Sequence, residues 1–155
     1  MQLHLLQSQQ TRLSAYGVSH VVDIHCHCLP GLDDGPGTMD QAVALCRALA
    51  GDGVTSVIAT PHQLGRYDLI NSASRIREAI TELRDALASA QIPLSVWPGG
   101  DVRIDERILE LIDRDQVLTL ADAGRYVLLE LPHDILVDPV PLIAMLSAAE
   151  LMPLG

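Results

Sequence analysis

The sequence predicts an α/β fold with parallel strands, arranged as an open sheet or a barrel. Two observations carry that prediction. Short runs rich in β-branched residues alternate with stretches that repeat apolar residues at helical spacing, and a recurring βα order builds parallel sheets. The run Val54–Thr60 is also apolar enough to be buried on both faces, as parallel strands are.

Each element follows from local chemistry. Val21–Ile24 reads as the first strand, followed by a loop of Gly, Pro and Asp from Pro30 to Gly37. Thr38 opens a helix, and Gln41 three residues on completes a capping box. Met39, Ala42, Val43, Cys46, Leu49 and Ala50 keep the spacing of one buried helix face, which Gly51 or Gly53 ends. Pro61 stops the second strand, Val54–Thr60. A longer helix spans about Ser72 to Ala90, with Ile76, Ile80, Leu83 and Leu87 as its inner face. Leu94–Trp97 is a third strand, closed by Pro98, Gly99 and Gly100. Asp105 caps a short helix through Ile112. Val117–Leu120 is a minor extended piece and Tyr126–Leu131 a fourth strand. Asp138, with Pro139 at the first helical position, starts a last helix through about Glu150.

Composition narrows the class. At 155 residues and 48% hydrophobic, the chain has a one-domain length and enough apolar material for a core. No apolar stretch reaches the ~18 residues needed to span a bilayer. Residues 1–20 lack a signal-peptide pattern and read as a disordered N-terminal extension, with residues 21–155 belonging to a single domain in the cytoplasm. Net charge is −10, from 20 acidic and 10 basic residues, with 3% aromatics. That balance offers neither the basic face nor the stacking rings of a nucleic-acid binder. Three cysteines, Cys26, Cys28 and Cys46, are too few and too irregular for a disulfide scaffold and read as small core residues. None has an arginine six residues later, so the Cys-x5-Arg phosphate cradle of thiol phosphatases is missing.

The polar residues then fall in a pattern. Alternation along Val21–His27 sends His25 and His27 to one face together with Asp23, and Cys26 and Cys28 to the other. Neutral imidazoles are the commonest protein metal ligands. The next loop carries Asp33 and Asp34. Strand two ends at His62, strand three at Asp101, and strand four at Glu130, with His133 just beyond. In α/β barrels the active site is built at this end of the strands. Four successive strand ends, each giving an imidazole or a carboxylate to one rim, predict a shared metal centre. Asp33 reads as a loop hydrogen-bonder and His133 as a surface histidine.

The motifs carrying this pattern are Asp23-Ile24-His25-Cys26-His27, Leu29-Pro30-Gly31-Leu32-Asp33-Asp34-Gly35-Pro36, Ile58-Ala59-Thr60-Pro61-His62, Trp97-Pro98-Gly99-Gly100-Asp101-Val102-Arg103-Ile104, Leu118-Thr119-Leu120 and Tyr126-Val127-Leu128-Leu129-Glu130-Leu131-Pro132. In this order and spacing they resemble the PHP (polymerase and histidinol phosphatase) superfamily. More narrowly, they resemble its bacterial manganese-dependent protein-tyrosine phosphatases of capsule and exopolysaccharide synthesis. The resemblance implies a PHP-type distorted TIM-like (β/α) barrel, of which this chain holds about the first four β/α units. It implies metal ligands at His25, His27, Asp34, His62, Asp101 and Glu130. Asp101 stands where the family usually has glutamate, a side chain one carbon longer. The family pattern continues into a His-Pro-Glu-Arg strand and a later aspartate–histidine pair, which this sequence does not contain. The resemblance therefore implies a C-terminally truncated site lacking its phosphate-binding arginine. It further implies that strand four lacks its next neighbour and that the apolar face of the last helix, Leu142, Ile143 and Leu146, is left uncovered.

By the same resemblance, the site holds two or three divalent ions, manganese first, with iron or zinc as alternatives. A metal-bound hydroxide hydrolyses phosphotyrosine on a partner protein, a bacterial tyrosine kinase of polysaccharide export. The phenolate leaving group, with a conjugate pKa near 10, needs little help to depart. Two other readings stay open at this point: a phosphoesterase for a small substrate such as histidinol phosphate, and a truncated, inactive fragment.

Overall fold

The computed structural model describes residues 20–132 and 136–155, so nearly all of the expected N-terminal extension, and His133, lie outside the described residues. The fold is mixed α/β. In chain order the elements are β1 (Val21–Cys26), α1 (Met39–Gly51), β2 (Val54–Ala59), β3 (His62–Gln63), α2 (Ala73–Ser89), β4 (Ser95–Pro98), β5 (Asp101–Arg103), α3 (Ile108–Asp113), β6 (Tyr126–Glu130), α4 (Val140–Ala148) and β7 (Met152–Leu154). They form two parallel sheets, ordered β1-β2-β4 and β3-β5-β6-β7.

Four expected strands thus become seven among the described residues, for two physical reasons. Two of the additions continue an expected strand beyond a break: β2 resumes as β3 after Thr60-Pro61, and β4 resumes as β5 after Gly99-Gly100. Pro61 has no N–H for a ladder. A Cβ on Gly99 would stand 2.6 Å from Ile58 Cγ2, and one on Gly100 would collide with the side-chain amide oxygen of Gln63. The glycine pair therefore marks a close approach of neighbouring chains rather than a strand end. The two breaks lie side by side, joined by a hydrogen bond of 3.1 Å from Asp101 N to Pro61 O.

The third addition corrects the expected bare edge. β7 pairs with β6 from Tyr126↔Met152 to Leu128↔Leu154. A tight return after α4, with Leu151 N donating to Leu146 O at 2.9 Å, brings it there. Leu142 and Leu146 are consequently buried, and only Ile143 of the expected trio stays exposed.

Helix α1 begins as its sequence demands. Thr38 Oγ1 accepts from Gln41 N at 3.3 Å, while the Gln41 side chain reaches back one residue further than in a standard box, to Gly37 N at 2.8 Å. Ser72 caps α2, which buries Ile76, Ile80, Leu83 and Leu87 as expected. Two local expectations are corrected. The Asp105 carboxylate accepts from Arg107 N in a turn that precedes α3, so it does not cap the helix, which starts at Ile108. The minor extended piece expected at residues 117–120 joins no sheet: Thr119 is extended, but Leu120 already opens a 3₁₀ turn, Leu120–Asp122, with Val117, Leu118 and Leu120 buried. One core cluster packs α1 and α2 against the first sheet and includes Cys26, Cys28 and Cys46. A second lies around β5, β6, α3 and α4. No helix among the described residues is long and apolar enough to cross a membrane.

Candidate metal centre

Strand β1 is not regular where it matters. Asp23 pairs with Val57 and Cys26 with Ala59, so three steps on β1 match two on β2, the signature of a bulge. His25 and His27 still emerge together, with their Nε2 atoms 3.3 Å apart, while Cys26 and Cys28 turn into the core. Asp23 turns back to accept from the backbone N–H of His25 at 3.0 Å.

The offset between the sheets supplies the other donors. His62 opens β3 and pairs with Asp101, which opens β5; Arg103 then pairs with Glu130 at the end of β6. All six residues expected at the site are brought together. They form three overlapping triads: His25, His27 and Asp101; His27, Asp34 and His62; His62, Asp101 and Glu130. Within each, one candidate ligand atom per residue lies within 4.8 Å of the others. Their common wall lines a cleft of about 770 Å³ that is completed by Leu128, Leu129, Leu131, Pro132 and Gly155.

The shared residues show how the triads relate. His27 Nε2 lies 3.9 Å from Asp101 Oδ2, and its Nδ1 lies 3.2 Å from Asp34 Oδ1. His62 directs Nε2 at Asp34 Oδ1 (3.6 Å) and Nδ1 at Asp101 Oδ2 (3.2 Å) and Glu130 Oε2 (3.1 Å). Each histidine thus presents a different nitrogen to each of two triads. A neutral imidazole has a single acceptor nitrogen, so each can serve one triad at a time, whereas the two oxygens of Asp101 can serve two. The buried Nδ1 atom of His62 makes no well-directed hydrogen bond despite its near carboxylates. A cation between the imidazole and carboxylate atoms would resolve that mismatch, and the donor set suits borderline or hard divalent ions.

Protonation follows the surroundings. Burial, above all, raises the Asp101 carboxyl above its ordinary range, and the neighbouring Glu130 adds to it, against the opposing pull of the histidines. The Asp33 contact raises His27 above its usual value despite partial burial. Burial works against the Asp33 carboxylate, but His27 and the N–H groups of Gly35 and His62, each at 3.0 Å, outweigh it and hold Asp33 below the usual range.

Asp33 is therefore a loop hydrogen-bonder, as its sequence position suggests, and it also supports His27 directly. Two further neighbours are not foreseen from sequence. Arg103 donates from Nη1 to Glu130 Oε1 at 2.8 Å; its place two residues after Asp101 on one strand was an available signal. Tyr67 stacks on the His62 ring, with centroids 5.4 Å apart and planes 12° from parallel. It sits in a 3₁₀ turn, Gly65–Tyr67, that no periodicity announces.

Comparisons with known proteins cover the span of chain that holds this cluster. A family described as capsular polysaccharide synthesis, CpsB/CapC, matches residues 21–138. The chain is 38% identical over 115 residues to the tyrosine-protein phosphatase YwqE of Bacillus subtilis (strain 168), covering 74% of this chain and 44% of that protein. It is 26% identical over 111 residues to the tyrosine-protein phosphatase CpsB of Streptococcus pneumoniae, covering 71% and 44%. The chain thus spans less than half the length of these curated relatives. A chain from the crystal structures of YwqE and CpsB, described as unique metal-dependent tyrosine phosphatases, superposes with a TM-score of 0.80 at 34% identity, covering 86% of this chain and 53% of that one.

Proposed function

The chain belongs to the CpsB/CapC family of capsular polysaccharide synthesis, and from that membership we propose that it carries the metal-binding face of a metal-dependent protein-tyrosine phosphatase. In this reading residues 21–155 form part of one PHP-type domain and make up about the first four β/α units of a distorted TIM-like barrel. The substrate is phosphotyrosine on a protein, a tyrosine kinase of polysaccharide export being the partner, and the reaction takes place in the cytoplasm.

In this reading His25, His27, Asp34, His62, Asp101 and Glu130 hold two or three divalent ions, manganese before iron or zinc. When bound, the ions supply positive charge for the phosphoryl oxygens and activate water. Asp101, buried where two triads meet, turns Oδ2 towards the histidines of both and would hold an ion there. Asp33 fixes the His27 ring, and Arg103 fixes the Glu130 carboxylate. The chain offers no thiol nucleophile, since Cys26, Cys28 and Cys46 are buried away from the cleft. The phenolate leaving group departs without a strong acid, its conjugate pKa being near 10.

The observation that carries this reading is the convergence of donors from two sheets into three triads that share His27, His62 and Asp101. The test is hydrolysis of p-nitrophenyl phosphate and of a phosphotyrosine peptide by the chain with added manganese. Turnover should depend on the metal, vanish with chelator and survive thiol alkylation. Undiminished turnover in excess chelator would reject the proposal.

A further inference from the structure

Beside the triads lies a second, smaller pocket of about 310 Å³, in which Asp34, His62 and Glu130 share the lining with Arg66, Tyr67 and Arg103. We propose that this pocket is an aryl-phosphate slot, in which Tyr67 receives the aromatic ring of the substrate and Arg66 and Arg103 receive its phosphate dianion. It rests on the phosphatase reading for the nature of the substrate, and it assigns to these three side chains the selection of aryl over alkyl esters.

The geometry gives each side chain a distinct part. Stacking on His62 fixes the plane of the Tyr67 ring at the mouth of the triads. Aromatic rings pair in offset or edge-on arrangements that an aliphatic group does not reproduce. The Arg66 guanidinium lies 4.7 Å over the Tyr67 ring and donates from Nη2 to the Tyr67 hydroxyl at 2.9 Å. Arg103 uses Nη1 for Glu130 Oε1 and Leu131 O. A guanidinium has five N–H donors, so both arginines retain donors for phosphate oxygens, the partner that their planar forks suit best. The chain as a whole carries a net charge of −10, and Asp34 and Glu130 face this pocket. Two guanidinium groups there supply the attraction that a dianion needs to approach carboxylates.

The loop is built to hold this arrangement. Gly65 has φ +55°, and a Cβ on it would stand 3.1 Å from Arg103 Cγ. Leu64, which is buried, is held at φ 65° and ψ −169°, a region that non-glycine residues rarely adopt. Such backbone persists only where the surroundings enforce it, commonly at ligand clamps. The strained turn therefore sets the Gly65 backbone against the Arg103 stem, with Arg66 and Tyr67 following it in the lining of the same pocket.

The test uses phenylphosphonate and methylphosphonate, whose P–C bonds are not hydrolysed, titrated calorimetrically into the manganese-loaded chain. The native chain should bind phenylphosphonate several-fold more tightly than methylphosphonate. Tyr67→Leu should weaken phenylphosphonate about fivefold and leave methylphosphonate unchanged, and Tyr67→Phe should restore the preference. Arg66→Gln and Arg103→Gln should each weaken both ligands, by about tenfold. Equal affinity for the two phosphonates in the native chain, no binding of either, or parallel losses of both in Tyr67→Leu would overturn the slot. Aryl preference without hydrolysis of p-nitrophenyl phosphate would sink the phosphatase reading and leave the slot standing. Hydrolysis without aryl preference would do the reverse.

Discussion

The Nδ1 atom of His27 stands 2.9 Å from Oδ2 of Asp33, and that aspartate is held in turn by the backbone N–H groups of Gly35 and His62. A single carboxylate thus ties the loop after β1 to the first residue of β3. Asp33 is depressed in the fold, so its contribution is present above its ordinary 3.8 and is lost as pH falls through the lower folded value. His27 is raised, so its contribution is present below its ordinary 6.5 and is lost as pH rises through the higher folded value. The pair therefore stabilises most between those two pH values. With chelator present, Asp33→Asn should cost about 1–3 kcal/mol near pH 5 and flatten the acid limb of stability. Denaturant melts of both chains across pH measure this; an unchanged acid limb would contradict it.

His62 belongs to two triads and His25 to one. Because a neutral imidazole ligates through one nitrogen at a time, His62→Ala and His25→Ala should each lower the manganese bound per chain, as counted by equilibrium dialysis with elemental analysis. Either change should lower metal-dependent hydrolysis by two or more orders of magnitude, because each removes a ligand from one cluster.

The three thiols should resist modification. Cys28 is fully buried, and its contacts with Cys26 and Cys46, together with burial, push it far above the ordinary thiol range. It therefore stays protonated, and only the thiolate reacts readily. Cys26 and Cys46 are drawn below that range by the same contact with Cys28, but both are buried as well. Mass spectrometry after iodoacetamide treatment should find native protein unlabelled and denatured protein labelled at all three positions.

Gly100→Ala should be costly out of proportion to its size. The added methyl would meet the Gln63 amide oxygen, which accepts from Leu118 N at 2.9 Å. The Gln63 amide nitrogen meanwhile donates to Asn71 O and Gln116 O. Overpacking costs about 1–3 kcal/mol, and the loss of a buried hydrogen bond adds to it. A thermal melt should show the loss, whereas Gly51→Ala, where a Cβ meets nothing within 4 Å, should show none.

Much of this was legible in the sequence, for local reasons. Alternation brings His25 and His27 to one face, and short apolar runs that stop at Pro or Gly mark where His62 and Asp101 fall, although both open new strands and only Glu130 ends one. Caps and apolar stripes place α1 and α2. What escaped depends on contacts between distant segments. Gly99-Gly100 looks like a terminator until Ile58 and Gln63 are seen against it. β7 is three residues long with Pro153 at its centre, too short for any period to declare. The loop hydrogen-bonding of Asp33 was legible, but its contact with His27 Nδ1 depends on how the loop folds back.

The paired breaks at Thr60-Pro61 and Gly99-Gly100 divide the strand scaffold along a seam, with His25 and His27 on one bank and His62, Asp101 and Glu130 on the other. Any ion shared by His27 or His25 with Asp101 would then be a rivet across that seam. Occupancy would be felt as mechanical unity: with ions bound, the two banks should open together, and after their removal the short strands β3 and β5 should exchange their amide hydrogens ahead of β2 and β4. The seam that assembles the reactive groups is thus also the line along which the domain would yield first.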